Sequence, residues 1–62
     1  MKIKIGGVVR GLDIEKTCEV KRFNPETGIY VIRWNGVSAS FDGETVYNQN
    51  TTMAKHCYLI KS

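Results

Sequence analysis

The dipeptide Asn35-Gly36 separates two runs of β-forming residues, and this arrangement most constrains what the chain can fold into. A two-residue type I′ turn needs positive φ at both central positions, and Asn-Gly meets that need with little strain. A loop of this length also fixes the register of the hairpin. Three apolar or aromatic pairs then share one face: Trp34 with Val37, Ile32 with Ala39, and Tyr30 with Phe41. Because turn chemistry and alternation agree, we expect this face to be buried and Arg33 to point outward.

A second reversal follows at Asp42-Gly43, another dipeptide typical of tight hairpins. A two-residue loop there joins Phe41 to Glu44. This register puts Val46 on the buried face and Tyr47 on the outer face.

A third reversal is predicted at residues 24–28, where Pro and Gly occupy positions that a type I turn favours. If Phe23 pairs with Tyr30 across this turn, strict alternation places Cys18 and Val20 on the wrong side of the sheet. We therefore expect a bulge or a strong bend in this strand, as curved small barrels require.

The two ends of the chain give less regular patterns. Lys2–Ile5 alternates and predicts a strand, whereas residues 11–16 are interpreted as a loop or wide turn. Asn50 can cap a single helical or 3₁₀ turn over Thr51–His56. A short last strand is expected at Tyr58–Ile60.

Five or six short antiparallel strands, successive tight hairpins and a 3₁₀ turn before the last strand resemble the SH3-like small barrel. That group includes the Tudor, chromo-like and KOW-type domains. The resemblance rests on the meander from Thr17 to Tyr47 and on the ending Met53–Ile60, and it is one of architecture without a family motif. An OB-like barrel is the alternative, although it usually needs more residues. We expect one all-β domain over residues 1–62, because a chain this short supports only one small core.

The chain contains two cysteines, Cys18 and Cys57. Its basic start is not followed by an apolar segment of about 7–15 residues, and no run approaches the roughly 20 apolar residues of a membrane span. We therefore expect a cytoplasmic protein with two reduced, buried thiols rather than a disulfide. Zinc sites usually show paired ligands such as C-x₂-C, which are absent, so no metal or other cofactor is expected.

Catalysis is not expected either. The single histidine, His56, adjoins Cys57, and neighbouring side chains in a strand point to opposite faces. The carboxylate pairs at 13/15 and 42/44 are interpreted as loop and turn residues. The glycine-rich segment 6–11 lacks the Lys-Ser/Thr of a phosphate-binding loop. The sequence thus predicts a non-enzymatic binding module.

The net charge of +3 and pI near 9.1 are a mild basic bias that is compatible with an acidic partner without demanding one, and nucleic acid is the leading candidate. On the outer face, Arg33 is expected to contact phosphate and Tyr47 to stack on a base. Four further basic residues extend the candidate surface: Lys21, Arg22, Arg10 and Lys55. The structural alternative is that such residues serve cross-strand packing and protection of strand edges.

A protein partner is the other functional hypothesis. Short chains rich in Lys, Asn and Thr are frequent among accessory proteins of bacteriophages or plasmids, and such a protein could regulate or inhibit a larger enzyme. Strand addition, or insertion of a loop such as 24–28 or 45–52, would supply the contact. Self-association through Ile29, Val31 and Tyr47 is a third possibility.

Overall fold

A computed structural model describes residues 1–60 as a closed antiparallel barrel of six β-strands. In chain order the strands are β1 (Lys2–Val9), β2 (Leu12–Asn24), β3 (Ile29–Trp34), β4 (Val37–Phe41), β5 (Val46–Asn48) and β6 (Thr51–Ile60). Each strand pairs with the next, and β6 closes the barrel against β1. The all-β small barrel expected from the sequence is confirmed. Nothing in residues 1–60 forms a helix of the length and apolarity that a membrane crossing demands.

The β3–β4 hairpin has the register that Asn35-Gly36 predicts. Trp34 pairs with Val37 and Tyr30 with Phe41, and φ is 50° at Asn35 and 84° at Gly36. Trp34 is only 3% exposed, whereas Arg33 is exposed. The turn and the register are therefore confirmed. The predicted face is buried at Ile32, Trp34, Ala39 and Phe41, whereas Tyr30 is partly buried and Val37, beside the turn, is 41% exposed.

The β4–β5 connection is longer than predicted. Phe41 pairs with Val46 instead of Glu44, so residues 42–45 form a four-residue loop. The Asp42 carboxylate accepts hydrogen bonds from the backbone N–H groups of Glu44 (3.0 Å) and Thr45 (2.7 Å). Because the register moves by two residues, each residue of β5 stays on the face of the sheet that was predicted for it. Val46 is buried as expected.

The expected bulge lies in β2. Val20 pairs with Ile32 and Arg22 with Val31, so Lys21 is the extra residue on its strand. Beyond the bulge Phe23 pairs with Tyr30, as predicted. The added residue resets the alternation, which lets Cys18 point into the barrel.

Two further sequence interpretations are wrong. Residues 11–16 do not form a loop, because β1 turns into β2 through the tight pair Arg10-Gly11, with φ of 52° and 78°, and β2 starts at Leu12. The helical turn over Thr51–His56 is absent as well, because these residues belong to β6. Their backbone groups pair with β5 and β1, and these cross-strand bonds replace the local bonds of a helical turn.

The core is a single cluster of buried side chains contributed by every strand. Its members are Ile5, Cys18, Ile32, Trp34, Ala39, Phe41, Val46, Ala54 and Cys57. Both thiols are free and buried in this cluster. The long strands β2 and β6 close the barrel by pairing their two halves with different neighbours. Residues 12–19 of β2 pair with β1 and residues 19–24 with β3.

Candidate nucleic-acid interface

The outer surface of β2 to β5 carries the residues that we call the basic face: Lys21, Arg22, Arg33, Ser38 and Tyr47. Arg33 lies at its centre, paired with Glu19 of β2 on one side and with Ser38 of β4 on the other. Alternation along β3 dictates this orientation, because Ile32 and Trp34 on either side of Arg33 are buried.

The β2 bulge adds two cations to this face. Lys21 Nζ donates a hydrogen bond to Ser38 Oγ at 2.8 Å, so its side chain reaches over β3. Arg22, the next residue, is exposed and lies opposite Val31, whose side chain is on the outer surface. In a regular strand two consecutive side chains point to opposite faces, and the extra residue is what places both outside.

Tyr47 lies at the far edge of the basic face. It pairs with Ser40, which in turn pairs with Val31, so its ring belongs to the same row as Arg22. Tyr47 is partly buried and borders a shallow depression of about 220 Å³. Only part of the ring is therefore open for stacking.

The charge of the basic face is mainly positive. Among the cross-strand partners of Arg33, Glu19 is the acidic one, and on its other side Glu19 pairs with Lys2. Lys2 and Arg33 thus flank one carboxylate and line a common hollow of about 440 Å³. The sequence did not indicate that Lys2 lies beside Arg33, because the position of Lys2 depends on the β1–β2 register. That register could not be predicted while residues 11–16 were expected to form a loop.

Arg10 and Lys55 do not join the basic face. Lys55 pairs with Val8 on the β1–β6 side of the barrel, and Arg10 forms the β1–β2 turn beside it. Both line a separate hollow of about 490 Å³, which His56 also borders. The six candidate residues therefore fall into two groups: Lys21, Arg22, Arg33 and Tyr47 in one, and Arg10 and Lys55 in the other.

The most exposed aromatic side chain is Tyr58, 57% exposed, which the sequence placed only in a strand. It lies on the outer surface of β6 opposite Gly6, next to the exposed Val8. To place Tyr58 on this surface from the sequence, one needs the register of β1 against β6. A bulge in that pair shifts the register by one residue between Gly6 and Val8.

The two thiols are poorly suited to nucleophilic chemistry. Burial raises the pKa of Cys18 and of Cys57, and the nearby Asp42 carboxylate raises that of Cys57 further. Since the thiolate is the nucleophile, a raised pKa lowers reactivity at neutral pH. Within residues 1–60 no three His, Cys, Asp or Glu side chains come close enough to hold a metal ion.

Comparison with known proteins gives no relative to guide the assignment: no family model, no curated protein and no solved structure matches this chain.

Proposed function

We propose that this protein is a non-enzymatic, cytoplasmic binding module that holds a nucleic-acid strand against its basic face. Lys21, Arg22 and Arg33 contact phosphates, and the open edge of Tyr47 stacks on a base. The two free, buried thiols fit a reducing compartment.

The observation that carries the proposal is the β2 bulge. If β2 were paired regularly, without a bulge at Lys21, one of the consecutive side chains of Lys21 and Arg22 would point into the barrel, and the face would lose a cation. Bulges are found where a strand has to redirect a side chain, often at functional sites. Here the result is three cations, Lys21, Arg22 and Arg33, across two neighbouring strands.

The shape of the basic face favours a single strand over a duplex. Its cations follow the outer surface of a barrel only 31 Å in its longest dimension, and no helix is available in the described residues to enter a major groove. An outer sheet surface with hydroxyls and a partly open tyrosine provides the stacking and backbone contacts typical of single-strand binders.

The test is the double variant Arg33→Ala/Tyr47→Ala, measured by fluorescence anisotropy with a labelled single-stranded oligonucleotide. We expect affinity to fall by about tenfold or more, since one phosphate contact and one stacking contact are lost together. The matched control, Arg10→Asn/Lys55→Gln, removes more charge from the other group and should bind nearly as well as the parent. Equal affinity of the Arg33/Tyr47 variant and the parent would refute the proposal.

We further propose that the barrel is of the SH3-like type. Six sequential antiparallel strands and a long bent β2 shared between neighbours support this assignment. The strand at Thr51–His56 in place of a 3₁₀ turn is the feature that departs from the expected pattern.

A protein partner is the second candidate function, and one observation favours it. Tyr58 and Val8 are 57% and 41% exposed and adjoin on the β1–β6 surface, and exposed aromatic and aliphatic groups of this kind are enriched in protein interfaces. A regulator or inhibitor acting through this surface would retain its partner after nuclease treatment of the sample and lose it in Tyr58→Ser. Retention that depends on nucleic acid, or that survives Tyr58→Ser, would speak against this candidate.

A further inference from the structure

The hollow on the β1–β6 side brings together three nitrogen-bearing side chains, one from the β1–β2 turn and two from β6. We call it the cationic hollow and define it by Arg10, Lys55 and His56 around Val8 and Met53. Arg10 comes from the β1–β2 turn, and Lys55 lies opposite Val8 across the β1–β6 pair. His56 lies in the bulge that shifts this pair between Gly6 and Val8.

Two of the residues around the cationic hollow have positive φ: Arg10 with 52° and His56 with 58°. This conformation is uncommon for arginine and more frequent for histidine, and backbone strain is concentrated at functional sites. The two side chains at these positions carry a guanidinium and an imidazole.

The electrostatics of the cationic hollow favour an anion. No Asp or Glu belongs to its lining. The acidic residues near it are Asp13, opposite Val8 in the β1–β2 pair, and those of the 42–45 loop, where the backbone carbonyl of Glu44 accepts a hydrogen bond from the N–H of Cys57, next to His56. Among residues 1–60 the ion pair is Lys4 with Glu15, so neither Arg10 nor Lys55 is matched with a carboxylate within this part of the chain. Two cations without a carboxylate partner favour the binding of an anionic group.

The floor of the cationic hollow is apolar. Of its lining residues, Ala54 belongs to the core and Val9 and Met53 pack against the core, whereas Val8 is 41% exposed. The volume of about 490 Å³ lies within the range of small-molecule sites, although the hollow is open to solvent. An apolar floor adds no affinity for a bare phosphate ion, whereas it favours a ligand that also carries a planar or apolar part.

We propose that the cationic hollow binds a small organic phosphate monoester, with Arg10 and Lys55 on the phosphate, the His56 imidazole as a further donor, and the apolar part of the ligand on Val8 and Met53. This site is separate from the basic face and goes beyond the proposed function. The openness of the hollow implies modest affinity, in the range of about 10⁻⁴ to 10⁻³ M.

The test uses the intact protein, adenosine monophosphate as probe, and ¹⁵N chemical-shift titration as readout. We expect saturable shifts at residues 8–11 and 52–56 that have the same midpoint in the parent and in Arg33→Gln, since the basic face can also hold the phosphate of a nucleotide. Uncharged adenosine and inorganic phosphate should each bind about tenfold more weakly, since each lacks one half of the contacts. Equal binding of either probe would overturn the stated ligand class, and shifts spread over the whole surface would show non-specific association and overturn the site.

Variants separate the cationic hollow from general charge. Arg10→Asn removes the guanidinium but suits positive φ, so loss of folding does not obscure the result. Arg10→Asn and Lys55→Gln should each weaken adenosine monophosphate binding about five- to tenfold, whereas Arg33→Gln, with the same charge change on the basic face, should not. An equal loss in all three variants would overturn the inference. If Arg10→Asn also abolished oligonucleotide binding, the hollow would belong to the nucleic-acid surface and the separate site would be refuted.

Discussion

The ring of Tyr58 lies across the backbone of Gly6, so closely that a Cβ atom at Gly6 would be 2.6 Å from Tyr58 Cζ and 2.8 Å from its Oη. The two residues are cross-strand partners in β6 and β1. An aromatic ring that covers a glycine in this way compensates for the missing side chain on the outer surface of a sheet. Gly6 therefore provides the space that Tyr58 occupies.

The two adjacent glycines of β1 should respond differently to a methyl group. In Gly6→Ala the exposed Tyr58 ring can swing away, so we expect a cost below about 1 kcal/mol. In Gly7→Ala the new Cβ would be 2.9 Å from Cys57 Sγ and 3.2 Å from Cys57 Cα, inside the core, where nothing can move freely. We expect a loss of about 1–3 kcal/mol, measured by urea denaturation. A larger cost for Gly6→Ala would contradict this order.

Gln49 is a position at which stability can be raised. It has φ of 52° in the two-residue turn between β5 and β6 and is exposed. Gln49→Gly should stabilise the barrel by up to about 1 kcal/mol, because relief of left-handed strain outweighs the added freedom of the unfolded chain. Asn35→Gly is the matched control, and there no gain is expected, because Asn already tolerates this conformation and the variant loses the hydrogen bond that Asn35 Oδ1 accepts from Lys16 Nζ. Thermal unfolding of the two variants would reveal the difference; a lower Tm for Gln49→Gly would show that its side chain makes a contribution of its own.

Stability should decline in alkaline solution partly through the buried thiols. Burial raises the pKa of Cys18, although the ammonium of Lys16 opposes the shift. Because the folded state holds this proton more tightly than the unfolded chain, the thiol's contribution is complete below the unfolded pKa of about 8.5 and is lost as pH rises through the higher folded pKa. The free energy of unfolding should therefore fall more steeply above about pH 8.5 in the parent than in Cys18→Ala. Parallel urea titrations at neutral and alkaline pH provide the comparison, and identical slopes would show that the thiol does not contribute.

Oligonucleotide binding should weaken with salt in proportion to the phosphates contacted. With Lys21, Arg22 and Arg33 as the contacts, the slope of log K against log salt should be roughly −2 for a single strand. Removing one contact in Arg33→Gln should make that slope shallower by about 0.7, whereas Lys55→Gln should leave it unchanged. Anisotropy titrations at several salt concentrations measure both, and an unchanged slope in Arg33→Gln would place the contacts elsewhere.

Local sequence chemistry predicted much of the barrel wall. Asn35-Gly36 specified a two-residue turn, and the turn specified which residues of β3 and β4 face inward. The bulge in β2 was also predictable, because Phe23 and Cys18 could not otherwise both face inward. In contrast, the sequence does not predict the tight turns at Arg10-Gly11 and Gln49-Asn50, since Arg and Gln seldom adopt positive φ.

The candidate site was predictable only in part, for a related reason. Alternation predicts that Arg33 points outward, and Lys21 and Arg22 were expected to extend its surface from the preceding strand. That both of these side chains lie outside depends on the position of the β2 bulge, which the structure supplies. That Arg10 and Lys55 lie on another side follows from closure of β6 on β1, a contact between the two ends of the chain that no local pattern encodes.

The sequence by itself determined the strand-forming character of the chain, the central hairpin and the face on which Trp34 is buried, because these depend on residues a few positions apart. Only the tertiary structure decided that Lys16 lies with its Nζ 5.0 Å from the centre of the Trp34 ring and that Tyr58 covers Gly6. It also decided that the basic residues divide between two surfaces. These relationships depend on the register between strands distant in the chain, and the register is set when the whole barrel closes around one core.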